Sequence, residues 1–214
     1  MTIKALLFDL DGVLVDAMAW HEEAFLAAVR VAGLALTAEE HRAAFAGLPT
    51  KQKLQRLVEQ GKLPASKVAA VAAVKQALTQ TYIEQRATPD RSRQYLLQHF
   101  KSAGYLLGCV TNCIKHTTTE VLTRTQLLPL LDIVVTNEDV KEPKPSKAPY
   151  LRACELLHLQ PGETLAFEDH DLGVTAAYNA GCAVRQIHAF DELTIEVVWE
   201  AIQQANQQLK ESTL

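Results

Sequence analysis

A chain of 214 residues is long enough for one large domain or for a core carrying an insertion, and 48% hydrophobic residues suffice for a sizeable interior. A formal net charge of −4 with scattered Lys and Arg argues against a nucleic acid polymer as partner, and no apolar run reaches the length of a bilayer span. The start of the chain shows neither a basic n-region nor a cleavage site. Cys109, Cys113, Cys154 and Cys182 lack C-x-x-C spacing, so reduced thiols in a cytoplasmic protein are expected.

The first element is a short apolar strand, Ala5-Leu6-Leu7-Phe8, that runs into Asp9-Leu10-Asp11-Gly12-Val13. Alternate residues of an extended chain share a face, so Asp9 and Asp11 project together from the strand end. A buried like-charge pair is costly without a cation, and Mg²⁺ suits such oxygen donors. Gly12 permits a sharp turn that brings backbone N–H groups near an anion. Taken alone, the motif fits an acidic turn as well as a metal site.

After Asp16 the period changes. Trp20, Ala24, Ala27, Ala28 and Val31 share one helical face, and Gly33 ends the helix. Thr37 and Glu40 form a capping-box pattern, a third helix is predicted from Thr50 to Glu59, and Ser66 is placed to cap a fourth bearing Val68, Val71, Val74 and Leu78. Nothing over 17–86 reads as a strand, so this block is expected to be a helical insertion in an α/β core formed by 1–16 and 87–214.

From Thr88-Pro89-Asp90 onward, helix and strand alternate. Helices are predicted near 91–103, 115–127, 147–158, 172–180 and 193–209, with a polar tail from Gln203 that can fray. Strands are predicted at 105–110, 132–136, 164–168 and 183–187. The alternation implies a Rossmann-like, mainly parallel sheet covered by helices. Two further strand ends carry polar groups: Thr111-Asn112, and Glu168-Asp169-His170-Asp171 followed by Gly173. The loop Val140-Lys141-Glu142-Pro143-Lys144-Pro145 would pin one lysine. In open α/β sheets, ligands bind at the carboxyl ends of the strands.

Asp9-Leu10-Asp11-Gly12-Val13, Thr111-Asn112, Lys144-Pro145 and Glu168-Asp169, with Gly173, Ala177 and Ala180-Gly181 behind, span nearly the whole chain. Together they resemble the haloacid dehalogenase superfamily of hydrolases, in the helical-cap branch that includes β-phosphoglucomutase and phosphoglycolate phosphatase. The resemblance implies a Mg²⁺-dependent phosphatase acting on a small phosphorylated metabolite through an aspartyl-phosphate. The alternative is a β-phosphoglucomutase-like sugar-phosphate mutase on the same site. It implies Asp9 as nucleophile and Asp11 as general acid/base, with the Asp11 backbone carbonyl as a metal ligand. Asp169 is the preferred further ligand over Asp171, with Glu168 a ligand or a neighbour of one. Leu10, Thr111, Asn112 and Lys144 would bind the phosphoryl group, and Lys141 and Lys147 rival Lys144 by charge. Lys147 and Ala148 stand where the family often shows proline and an acid.

Substrate choice is expected from the inserted cap, whose loops in this branch close over the site. Gly47-Leu48-Pro49-Thr50-Lys51 matches the specificity loop, with Thr50 where β-phosphoglucomutase carries arginine and phosphonoacetaldehyde hydrolase its Schiff-base lysine. His21, Lys51, Lys53 and Lys75 are further cap candidates for substrate contact, although Lys51 and Lys53 also fit a solvated helix face. His170 stands where relatives often have serine and fits either a partner of the metal ligand or a helix cap. Asp16-Ala17 replaces an acid followed by serine or threonine. A monomer or weak homodimer without membrane attachment is expected.

Overall fold

The computed structural model describes residues 2–211, which form two compact units. One comprises the chain up to Asp16 and from Thr88 onward; the other is Ala17–Ala87. Ala87, expected with the core, falls with the helical unit because its N–H closes the last helical turn on the Ile83 carbonyl.

The helical unit contains α1 (Met18–Val31), α2 (Ala38–Phe45), α3 (Thr50–Glu59) and α4 (Val68–Arg86). Thr37 and Glu40 form the expected capping box at the start of α2, each side chain meeting the other's backbone N–H. The core of this unit gathers Phe25, Val29, Phe45, Leu54, Leu57 and Val71. Each such side chain withdrawn from water contributes about 1.5–3 kcal/mol. Two helices lie in a different phase from the sequence pattern. In α1 the buried face is Ala24, Phe25, Ala28 and Val29, leaving Val31 exposed at the helix end. In α4 the buried stripe is Val71, Lys75, Thr79 and Ile83; Lys75 meets His21 inside the unit, a partner that an apolar count does not foresee. Ser66 does not cap α4; it lies within a 3₁₀ turn, Ala65–Lys67, that feeds directly into the helix.

The α/β unit is built on β1 (Ala5–Phe8), β2 (Leu106–Val110), β3 (Ile133–Val135), β4 (Thr164–Glu168) and β5 (Ala183–Gln186). They form one sheet of order β3-β2-β1-β4-β5, every pairing parallel. Its helices are α5 (Arg91–Ser102), α6 (Lys115–Arg124), α7 (Ala148–Leu157), α8 (Asp171–Ala180) and α9 (Ile195–Glu211). β1 is the central strand and is buried on both faces, which is why it reads as an unbroken apolar run. Phe8 pairs with Cys109 on one side and Phe167 on the other, so Asp9, Thr111 and Glu168-Asp169 emerge at one carboxyl edge.

Several predicted boundaries shift by one residue, and those of α6 and α9 by more. α6 stops at Arg124 because Gln126 turns left-handed at φ 59°, and Leu128–Leu130 continue as a 3₁₀ turn. α9 runs on through Gln203 to Glu211, its buried face being Val198, Ala201, Ile202 and Ala205. No helix among the described residues is long and apolar enough to cross a membrane.

Candidate active site

The loop after β1 folds back tightly. Leu14 N–H donates to the Leu10 carbonyl at 3.0 Å, Val15 N–H to the same oxygen at 2.8 Å, and Gly12 N–H to the Val15 carbonyl at 2.8 Å. Gly12 has φ 84°, and a Cβ there would lie 2.5 Å from Asp169 Oδ2. Both the left-handed turn and the approach of Asp169 therefore require glycine. The Leu10 side chain is buried. Arg93 of α5, which the sequence reading did not single out, secures this loop. Its guanidinium donates to the carbonyls of Val13 (3.0 Å), Leu193 (2.6 Å) and Phe190.

Lys144 joins the strand ends. Its ammonium donates to Asp9 Oδ1 at 2.9 Å, to the Val110 carbonyl at 2.7 Å and to Glu168 Oε1 at 2.5 Å. Three donors and three acceptors fix the group in place. Asn112 clamps the backbone of the same residue: its Oδ1 accepts from Lys144 N–H at 2.9 Å and its Nδ2 donates to the Lys144 carbonyl at 3.2 Å. The Asn112 side chain thus shapes the lysine loop, a use not foreseen for a phosphate-binding amide. Thr111 Oγ1 accepts from Cys113 N–H at 3.0 Å, and Cys113 Sγ lies 3.0 Å from Asp11 Oδ2. Lys141 and Lys147 are exposed, whereas Lys144 is 3% exposed.

Asp9, Glu168 and Asp169 each offer a carboxylate oxygen within 4.8 Å of the others. An all-oxygen, anionic donor set of this kind fits a hard divalent cation. The electrostatics agree. Burial pushes the Asp9 carboxyl above its usual range, with Lys144 pulling it back and Asp11 adding to the rise. Burial lifts Glu168 to about 8 against the pull of Lys144. Burial, with Asp9 and Asp11 nearby, lifts Asp169 to about 7. Burial disfavours the Lys144 ammonium, but Asp9 and Glu168 outweigh it and hold the lysine above its ordinary value. Several acids thus share one lysine, and a further cation would relieve them.

Asp171 is exposed, and its Oδ1 accepts from Gln186 Nε2 at 3.2 Å, so it stands apart from the cluster. His170 is the N-cap of α8, its Nδ1 accepting from Leu172 N–H at 3.2 Å. Gly173, in the first turn of α8, is where the Glu168 carboxylate sits: a Cβ would fall on both of its oxygens. Gly173→Ala should therefore destabilise the fold by about 1–3 kcal/mol through overpacking, although alanine favours a helix interior by about 1 kcal/mol. Thermal unfolding checks the sign; a rise in Tm would contradict the tight fit.

Within the helical unit, His21 of α1 and Lys75 of α4 meet, Nδ1 to Nζ at 3.2 Å. Gly47 turns the chain between α2 and α3 at φ 69°, Thr50 is the first residue of α3, and Lys51 is exposed on it. Lys53 is not solvated. Its ammonium lies buried, 3.0 Å from His41 Nε2, and His41 Nδ1 is 3.2 Å from Glu22 Oε2. Burial, with Lys53 alongside, holds His41 below the ordinary histidine value.

The chain thus combines a parallel α/β sheet, acids and a buried lysine at its carboxyl edge, and a helical unit inserted in sequence after the first strand. A family profile described as haloacid dehalogenase-like hydrolase matches residues 6–187, and the chain belongs to that family, in its helical-cap branch. Validoxylamine A 7'-phosphate phosphatase from Streptomyces hygroscopicus subsp. limoneus is 30% identical over 83% of this chain and 82% of its own length. Phosphorylated carbohydrates phosphatase from Thermotoga maritima is 29% identical over 84% of this chain and 82% of its own. In fold, the crystal structure of β-phosphoglucomutase from Clostridium difficile superposes with a TM-score of 0.82, covering 95% of this chain and 98% of that one at 20% identity.

Proposed function

We propose that the protein is a Mg²⁺-dependent phosphatase that hydrolyses a small phosphorylated metabolite through an aspartyl-phosphate on Asp9. The observation that carries this reading is the convergence of the Asp9, Glu168 and Asp169 carboxylates, two of which, Asp9 and Glu168, bond one buried lysine, with Asp11 two residues beyond Asp9. Relatives named for phosphatase action on validoxylamine A 7'-phosphate and on phosphorylated carbohydrates support a sugar-like phosphate ester as substrate. Four free cysteines fit a cytoplasmic setting.

In this mechanism an Asp9 carboxylate oxygen attacks phosphorus as the bond to the leaving oxygen breaks. The Asp11 carboxyl gives its proton to that oxygen, releasing the alcohol. Asp11, now a carboxylate, takes a proton from water while the water oxygen attacks the phosphorus of phospho-Asp9. Inorganic phosphate leaves and Asp9 is restored. Lys144 neutralises phosphoryl oxygens, and the Thr111 hydroxyl with backbone N–H groups at Leu10 and Asn112 orients them. Held by Asp9, Asp169 and the Asp11 carbonyl, with Glu168 adjoining, Mg²⁺ would offset the charge of the phosphoryl group as it transfers. Thr50 supports water as the final acceptor, since a threonine cannot make the bidentate phosphate contact that an arginine gives the mutases.

The test is phosphate release from p-nitrophenyl phosphate and a panel of sugar phosphates, with Mg²⁺ or with EDTA. Conversion of β-glucose 1-phosphate to glucose 6-phosphate, primed by glucose 1,6-bisphosphate and without phosphate release, would overturn the reading in favour of a mutase.

Metal binding should also depend on pH. Asp169 and Glu168 keep protons up to about 7 and about 8 in the fold, whereas unfolded carboxylates ionise near 4. The metal-free fold then binds more protons than the unfolded chain, and these groups' contribution to stability is lost as pH rises toward 8. A divalent cation prefers the ionised acids and reverses that loss. The Tm increment from millimolar Mg²⁺ is therefore expected to be larger at pH 8 than at pH 6. An increment that shrinks with rising pH would contradict the assignment.

A further inference from the structure

Glu168 is 1% exposed, and its carboxylate is enclosed on every side that the structure describes. Oε1 accepts from Lys144 Nζ and from the Tyr150 hydroxyl, while the same carboxylate packs on the backbone of Gly173. Tyr150 is itself fully buried in the first turn of α7, six residues after Lys144 in the same loop and helix. The Lys144 ammonium lies 5.5 Å from the centre of its ring. One residue thus touches Glu168 through its hydroxyl and faces Lys144 with its ring. Around it α7 presents apolar groups, Ala153, Cys154 and Leu157, so the hydroxyl is a polar group in an otherwise apolar stripe. A buried hydroxyl needs a partner, and here the partner is the acid that anchors the lysine.

We infer that Tyr150 is a positioning residue, whose hydroxyl holds Glu168 so that Glu168 in turn fixes the Lys144 ammonium on Asp9. This deepens the phosphatase reading and rests on it for its kinetic consequence. Lys144 has three hydrogen-bonding directions: one acceptor is the Val110 carbonyl, and the other two are the side-chain carboxylates of Asp9 and Glu168 at strand ends. Of these carboxylates, Glu168 is the one that Tyr150 and Gly173 hold against rotation. Loosening Glu168 would let the ammonium drift from the position that the transferring phosphoryl oxygens need. Substrate binding would change little, because the Tyr150 hydroxyl is turned to Glu168.

Tyr150→Phe removes the hydroxyl and keeps the ring. With p-nitrophenyl phosphate and saturating Mg²⁺, kcat is expected to fall about 10-fold, the size of one lost hydrogen bond to a charged group, with KM within about twofold. A second measurement needs no turnover. The ¹⁵N–¹H signal of the Lys144 ammonium, assigned by its loss in Lys144→Arg, should be visible in the parent protein because its protons are buried and bonded. In Tyr150→Phe it should broaden or vanish. An unchanged ammonium signal overturns the inference, whether or not kcat falls, and so does an unchanged kcat in an active enzyme. If the parent hydrolyses no phosphate ester yet the signal responds, the positioning role stands and the phosphatase reading fails.

Discussion

Asp9→Asn is expected to lower phosphate release by more than about 10³-fold, the scale on which removal of a covalent nucleophile acts. Asparagine matches the carboxylate in shape and cannot form the acyl-phosphate. The substitution should leave the fold at least as stable as before. Burial already disfavours the charged Asp9, so a neutral amide relieves a cost in the metal-free protein. Lys144 keeps Glu168 and the Val110 carbonyl as acceptors. Circular dichroism and Tm would establish folding, and acid quenching with labelled substrate would show no phospho-enzyme. A folded variant retaining more than a few per cent of activity would remove Asp9 from the nucleophile's role.

Asp11→Asn is expected to be nearly as inactive, with a different signature. The nucleophile remains, so phosphorylation by p-nitrophenyl phosphate, whose leaving group needs little protonation, should be the less affected step. Alkyl phosphates should lose about 10²–10⁴-fold, the usual worth of general acid–base assistance. Water attack on phospho-Asp9 would lack its base, and the intermediate should accumulate. Equal losses on good and poor leaving groups, with no trapped intermediate, would show that Asp11 does not transfer the proton.

Much of the fold was legible because its strands are short apolar runs that end in chemistry. β4 matches its predicted span residue for residue, since Thr164 and Glu168 bound three residues of one character, Leu165, Ala166 and Phe167. The parallel sheet followed from the alternation of such runs with helical periods. The phase of α1 and α4 was not legible, because Lys75 and Thr79 are buried by neighbours that no local count contains. The gathering of Asp9, Lys144, Glu168 and Asp169 was anticipated through motifs at strand ends. The supports behind them were not. The sequence pattern singles out neither Tyr150 nor Arg93, and Asn112 reads as a phosphate-binding group. Each is defined by a partner remote in sequence: Glu168, Val13 with Leu193, and the Lys144 backbone. For Tyr150 a signal existed, a hydroxyl on the apolar stripe of the helix that follows Lys-Pro.

The central strand of the sheet precedes in the chain both of the strands that flank it. Leu6 must wait for Leu107 on one flank and Leu165 on the other, while Ala17–Ala87 has its helical contacts within itself and can condense early. Closing such long loops is slow and is rewarded only when the last neighbour arrives. Until β4 is made, the apolar strand bearing Asp9 has an open flank with unpaired backbone groups, a state prone to wrong pairing. The acids at its tip cannot assemble before then either, so during synthesis a nascent chain should gain helical structure well before it gains any capacity to bind a divalent cation.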